Sequence, residues 1–369
     1  MDRLRAEAVR ARTEPLLVVD AQTHERAQRV MADPGDLVVT DERLRLVLLA
    51  AHPSLAPEAA AALTLRLVLG VSTADLARLF LVSKATMAAR LTRARTKLVT
   101  AGVAFAVPEG EALAERVEVV ATVAYLAFTA GYAPGSGPDV VRVDLAGEAI
   151  RLVRVLRTLV PYAVPRAAAA DASAGDSPSP TAILDLLLAL MLLQHSRRAA
   201  RTSPDGDLVL LPDQDRSVWH RDEIDEGLSL MSPYRGDLPM QVLGRRAREL
   251  LLQALIAACH ATAPTAADTD WGRIVGLYGE LETLTGSPVV RLNRAIAVAQ
   301  TDGPEAGLAL LAGLDEHLLS SHRLPAARAE LLARTGRHDE ARAAYERAIA
   351  LCDNEAERTH LQRRLSGLG

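Results

Sequence analysis

The sequence predicts an all-α protein. Three observations carry this. Aromatic residues are 3% of the chain while 49% is hydrophobic, and that hydrophobic share is rich in Ala and Leu, which favour helices over pleated surfaces. Met87, Leu91, Ala94 and Leu98 recur at steps of four, three and four, the spacing of one helical face. Near the end, Ala341, Tyr345 and Ala348 repeat in the manner of stacked helix pairs, where small residues allow close approach and the ring fills the gap.

The elements follow in order. Residues 1–40 are charged and broken by Pro15 and by Pro34-Gly35. Met1–Arg12 has the composition of a helix, too short to bury a core of its own. A helix is expected from Thr40 through Leu49, ended by His52-Pro53. Pro57 suits the first turn of the next one, and Gly70 stops it. Ser72 caps the following helix, with Asp75 at its third position completing a capping box. Leu76, Ala77, Leu79 and Phe80 form its apolar side. Ser83 caps the helix after that, whose apolar stripe faces away from Lys84, Thr86, Arg90, Arg93, Arg95 and Lys97. Two short helices, a tight turn and a basic second helix make a helix-turn-helix, a common device for placing a helix in the DNA major groove.

Further on, Glu115–Phe128 and Val140–Val160 read as helices, with a loop at Gly131–Pro138. Pro161–Pro180 is a Pro/Ala/Ser-rich linker. Ile183–Gln194 reads as a buried helix, and Asp205-Gly206 before Leu208–Leu211 suggests a small hairpin. Trp271, Ile274 and Tyr278 fit the first half of a tetratricopeptide unit, Gly303–Leu310 a worn second half, and Gly336–Leu351 a clear one. The expected organisation is 1–40 as a leading segment, 41–103 as the helix-turn-helix domain, 104–180 as a helical region with its linker, and 181–369 as a repeat-like helical domain.

Charge must be read locally. Residues 41–103 hold nine basic residues against four acidic ones, a local +5 in a chain of net charge −4, so the remainder carries −9. Phosphate contacts need such a local excess, and the acidic remainder confines any duplex to one face. The longest apolar run, Ile183–Leu193, contains Asp185 and is far short of the ~20 residues that span a bilayer. Cys259 and Cys352 have no metal-ligand spacing, and neither do His195, His260, His322 and His338. The sparse thiols and the lack of a signal segment at the start point to a cytoplasmic protein. Asp213, Asp215 and Asp222 near His220 could do acid–base work. No nucleophile motif or glycine-rich phosphate loop accompanies them. They read as a polar loop capped by Trp219, and the expectation is a protein that is not an enzyme and takes no metal or cofactor.

With Asp41–Glu58 and Ser72–Leu98 in view, the chain resembles an RNA polymerase sigma factor of the extracytoplasmic-function type. It is most similar to the branch with a long, tetratricopeptide-like C-terminal extension. The resemblance runs over almost all of 1–369. It includes Leu190-Met-Leu-Leu-Gln-His-Ser-Arg-Arg-Ala-Ala-Arg201, Asp213-Gln-Asp-Arg-Ser-Val-Trp219 and Ala267-Asp-Thr-Asp-Trp271. It implies that the second helix reads the minus-35 promoter element through Lys84, Thr86, Arg90 and Arg93, that Arg95 and Lys97 touch phosphates, and that core RNA polymerase is a partner. It also implies a regulatory C-terminal domain with an intramolecular or protein partner of its own. Two departures stand out. Met1-Asp-Arg-Leu-Arg5 resembles only the end of the domain that melts the promoter, so most of that region is expected to be absent from this chain. Ala88 and Ala89 stand where such proteins carry more polar residues, so fewer groups reach base edges. The competing expectation is a tetratricopeptide-like interaction protein with a vestigial helix-turn-helix.

Overall fold

The structure, a computed structural model, describes residues 47–52, 54–68, 70–80, 82–101, 110–132, 143–163, 180–236 and 243–368. The readings of Met1–Arg12, of Asp41–Arg45 and of most of the 161–180 linker fall outside these residues. Among the described residues the chain is helical and contains no strand. It divides into two units. One comprises Met1–Ala124 with Arg151–Asp171, the other Tyr125–Ile150 with Ala172–Gly369.

The first unit is built on α1 (Pro57–Val68), α2 (Thr73–Leu79) and α3 (Lys84–Thr100), each packed on the other two. Pro57 opens α1, as its fixed φ and missing N–H favour. Ala60, Ala61, Leu63 and Leu65 of α1 are buried, and so are Leu76 and Ala77 of α2. Residues 47–50 are helical, and Val47 and Leu48 are buried. The Leu48 carbonyl accepts a 2.6 Å hydrogen bond from Arg116 of α4 (Gly110–Tyr132). At the end of this segment His52 Nδ1 accepts from the Ser54 backbone N–H, 3.1 Å. That bond needs the neutral ring, and burial followed by the Arg116 charge lowers the His52 pKa to match.

After α5 (Val143–Ala163) the second unit is organised around α6 (Pro180–His195), which packs on α7 (Arg221–Met231) and α8 (Arg245–Thr262). Every residue from Ala182 to Leu193 is buried, so the long apolar run of the sequence becomes the central rod of a protein core. Its one carboxylate, Asp185, accepts a 2.7 Å hydrogen bond from the Tyr234 hydroxyl. Gly227 lets α7 come close: a Cβ there would meet Leu193 Cγ at 3.0 Å and the Ala189 carbonyl at 3.2 Å. The expected hairpin is a single antiparallel bridge, Thr202 to Leu208, around a turn in which Gly206 has φ +86°. Pro212 follows at once and opens a 3-10 turn, so no ladder extends.

From α8 the chain continues through α9 (Trp271–Thr285), α10 (Pro288–Thr301), α11 (Pro304–Leu311), α12 (Arg323–Arg334), α13 (His338–Leu351) and α14 (Glu355–Ser366), each packed on its predecessor. Ala341, Tyr345 and Ala348 of α13 are buried, as their spacing suggested, and the Tyr345 hydroxyl donates to Glu330 of α12 at 2.9 Å. Gly307 of α11 is the tightest approach. A Cβ there would lie 2.8 Å from the Ala295 carbonyl and the Ala299 methyl and 2.9 Å from Leu331. Gly276 of α9 is the opposite case, exposed and with nothing near an added methyl.

This contrast sets a paired prediction. Gly307→Ala should cost about 1–3 kcal/mol through overpacking, while Gly276→Ala should stabilise by about 0.5–1 kcal/mol by restricting the unfolded chain. Urea unfolding followed by circular dichroism reads both, and equal effects at the two positions would contradict the packing of α11.

Candidate nucleic-acid interface

The interface is assembled from α2, the turn after it, and α3. At the start of α2 the Asp75 N–H donates to Ser72 Oγ at 3.1 Å, and the Ser72 hydroxyl donates back to the Asp75 carboxylate at 2.5 Å. This is the expected N-cap, with the Asp75 carboxylate returning to the Ser72 hydroxyl in a variant of the capping box. The Phe80 N–H bonds to the Leu76 carbonyl and the Val82 N–H to the Ala77 carbonyl, both at 2.9 Å, which closes the turn. Ser83 caps α3 by accepting from the Thr86 N–H at 3.1 Å.

Met87, Leu91, Ala94 and Leu98 are the buried residues of α3. Helical geometry then fixes everything else about the face. Lys84, Thr86, Arg93 and Lys97 are exposed, and Arg90 and Arg95 are half-buried. Lys84 and Lys97 are the two lysines of the entire chain. The six candidates are not equivalent. The Thr86 hydroxyl lies 2.8 Å from Ser83 Oγ, so it takes part in the cap. The Arg90 guanidinium lies over the Phe80 ring, 5.8 Å from its centroid, a contact that orients the side chain along the turn. Arg95 has a partner within the protein. Thr92 and Thr96 turn their hydroxyls back to the carbonyls of Ala88 and Thr92, 3.0 Å each. Lys84, Arg93 and Lys97 therefore offer the most open charge. Ala85, Ala88 and Ala89 are exposed between them and present no hydrogen-bonding side chain.

The other motifs of the sequence fall in the second unit. The polar loop is structural in its geometry. The Asp215 carboxylate accepts from the Ser217 N–H at 2.8 Å, and hydrogen bonds from the Ser217 side chain first and its backbone second lower its pKa from the ordinary carboxylate value. The His220 N–H bonds to the Ser196 carbonyl at 2.8 Å. Trp219 is buried, with the Arg216 guanidinium 4.5 Å above its ring. Arg216 donates to the carbonyls of His260 and Ala263 at 2.6 and 2.9 Å, and His260 meets Trp271 edge-on at 5.3 Å. The Asp213–Trp219 and Ala267–Trp271 motifs thus meet at His260, and the Leu190–Arg201 motif joins them through the Ser196–His220 bond. Sequence reasoning did not foresee a further grouping: His322, Cys352 and Glu357 bring one potential ligand atom each to within 4.8 Å of one another. His322 pairs with Glu357 at 2.8 Å, and the Cys352 thiol faces the Asn354 carbonyl at 3.4 Å. No spacing rule could reveal it, because the three residues come from the ends of α12, α13 and α14.

His260 gives a pH-dependent prediction. Burial first, then the charges of Arg197 and Arg216, lower its pKa from 6.5 to about 4. The folded state therefore resists a proton that the unfolded chain takes up. Stability from this residue is complete above pH 6.5 and is lost as pH falls toward 4. His260→Gln should flatten the slope of the urea midpoint between pH 6.5 and 4; an unchanged slope would count against this environment.

Residues 45–98 match the family "Sigma-70, region 4", and residues 116–234 match a family of unknown function, DUF6596. An uncharacterized protein of Rhizobium meliloti (strain 1021) is 42% identical over 328 residues, covering 89% of this chain and 72% of the relative. No solved structure matches the chain. The helix-turn-helix geometry and the match over its residues agree, and the chain belongs to the family of that Rhizobium protein and carries a sigma-70 region 4 domain.

Proposed function

We propose that the protein is an extracytoplasmic-function sigma factor, or the promoter-recognising part of one, acting with core RNA polymerase on minus-35 DNA. The observation that carries this reading is the division of α3, with an apolar stripe packed on α1 and α2 and open cations on the opposite side. Lys84, Arg93 and Lys97 set register on phosphates, and Arg90 reaches the groove from its seat on Phe80. Arg95 and Thr86 contribute less, since each already has an internal contact. The second unit, read as a tetratricopeptide-like array, regulates the first through a peptide or an intramolecular partner. In this reading the protein works in the cytoplasm, carries no cofactor and catalyses no reaction. No helix among the described residues is long and apolar enough to cross a membrane.

One observation favours the second reading, a helical interaction protein whose helix-turn-helix has lost its task. Ala85, Ala88 and Ala89 leave the middle of the basic face without base-reading groups. Selection of bound duplexes from a random pool, then gel shifts and a pull-down of core polymerase, separates the two. Arg93→Ala and Lys97→Ala should weaken all duplexes alike and each reduce the salt slope by about 1. Arg90→Ala should cost about 1–3 kcal/mol on the selected sequence and less on others. Failure to enrich any sequence, with no polymerase retained, would favour the interaction protein.

A further inference from the structure

The second unit contains a cleft of about 620 Å³, within the range of small-molecule sites. Its walls come from the last turns of α4, the end of α6, the turn bearing Trp219, and α8, α9 and α10. About half of the wall is apolar or aromatic, with Leu193, Ile256, Leu281, Val289 and the rings of Tyr132 and Tyr278 contributing. Such walls are a poor environment for a bare charge. Yet Arg197 lines this cleft, and no carboxylate among the described residues pairs with it.

The neighbouring charges are accounted for differently. Arg198 pairs with Glu223 at 2.8 Å. Arg216 is spent on backbone carbonyls. The lining carboxylate, Glu249, is held by Arg246 at 2.9 Å and accepts the Gln253 amide at 3.2 Å. Arg197 has the Tyr132 ring at 5.5 Å, the phenol groups of Tyr132 and Tyr278 as polar neighbours that favour its charge, and a like charge in Arg201. Burial pulls its pKa below the ordinary guanidinium value.

A second observation is independent of charge. Trp219 lines the same cleft, is 3% exposed, and its indole N–H has no hydrogen-bond partner. An unmet buried donor costs about 1–3 kcal/mol. A guanidinium without a carboxylate partner and an unmet N–H are both donors, and both suit an acceptor carrying negative charge.

We propose that this cleft is a binding site for a small organic anion, its carboxylate or phosphate held by Arg197 and the Trp219 N–H and its apolar body lying against Ile256, Leu281 and the tyrosine rings. The site is separate from α3, so it stands or falls without reference to DNA binding. A ligand of this class gives Arg197 the counter-charge it lacks and the Trp219 N–H its acceptor. The fold keeps an uncompensated cation at a cost in stability, the usual mark of a functional site.

The test uses the full chain and the aromatic sulfonate 8-anilinonaphthalene-1-sulfonate as fluorescent probe. Benzoate, phenyl phosphate and benzylamine serve as competitors. Saturable one-site binding is expected, displaced by benzoate or phenyl phosphate and not by benzylamine. The stronger of the two anions identifies the head group. Arg197→Gln should weaken probe binding about tenfold or more, the scale of a lost charge-assisted hydrogen bond, with a melting temperature no lower than that of the parent. Trp219→Phe keeps the ring and removes the N–H, so it should also weaken binding while the protein stays folded. Unsaturable binding, equal displacement by benzylamine, or parental affinity in both variants would overturn the proposal.

Discussion

Burial of Met87, Leu91, Ala94 and Leu98 is the constraint on which the reading of the first unit depends. Four apolar side chains on one helix must find a partner surface, and α1 and α2 supply it. Once that stripe is seated, the rotation of α3 about its own axis is no longer free. The cations then face outward as a consequence of geometry. The caps at Ser72 and Ser83 fix where each helix starts, which sets the phase of the stripe and so of the charge opposite it. The function assigned to this face rests on hydrophobic burial that no nucleic acid touches.

The second unit obeys a different rule. Its core is a helix buried on every side, α6, and its close approaches need residues without side chains, Gly227 and Gly307. Packing this dense leaves little room for imperfect polar groups. Against that background, the cleft combines an unmet indole N–H at Trp219 with an Arg197 guanidinium that has no carboxylate partner among the described residues. The charged network beside them is otherwise economical: Glu223 takes both His195 and Arg198, and Arg216 satisfies two carbonyls that a helix end leaves open.

Much of this was legible in the sequence. The stripe and caps of α3, the proline opening α1, the buried run of α6 and the seating of Tyr345 between Ala341 and Ala348 all follow from local spacing. What spacing could not give was anything made by long-range packing. It did not tell that Arg90 sits over Phe80, that Thr86 belongs to a cap, or that Arg95 already has a partner. It read His322 and Cys352 as isolated, because three helix ends had to converge before they became neighbours of Glu357. The hairpin inferred from Asp205-Gly206 stopped at a single bridge, because Pro212 and a 3-10 turn follow it closely. The motifs at Leu190–Arg201 and Asp213–Trp219 were visible as words, and only the fold shows that both border one cleft.

The central claim is that the open face of α3 lies along a duplex. The chain offers a direct readout, because its two lysines, Lys84 and Lys97, stand at the two ends of that face. Acetylation of each by a brief pulse of acetic anhydride, quantified by mass spectrometry with and without duplex DNA at low salt, reports contact at both points. The account predicts that DNA slows modification at both residues and that added salt restores it. Equal modification with and without DNA, in a chain that binds the duplex, would place the contact elsewhere and contradict the account.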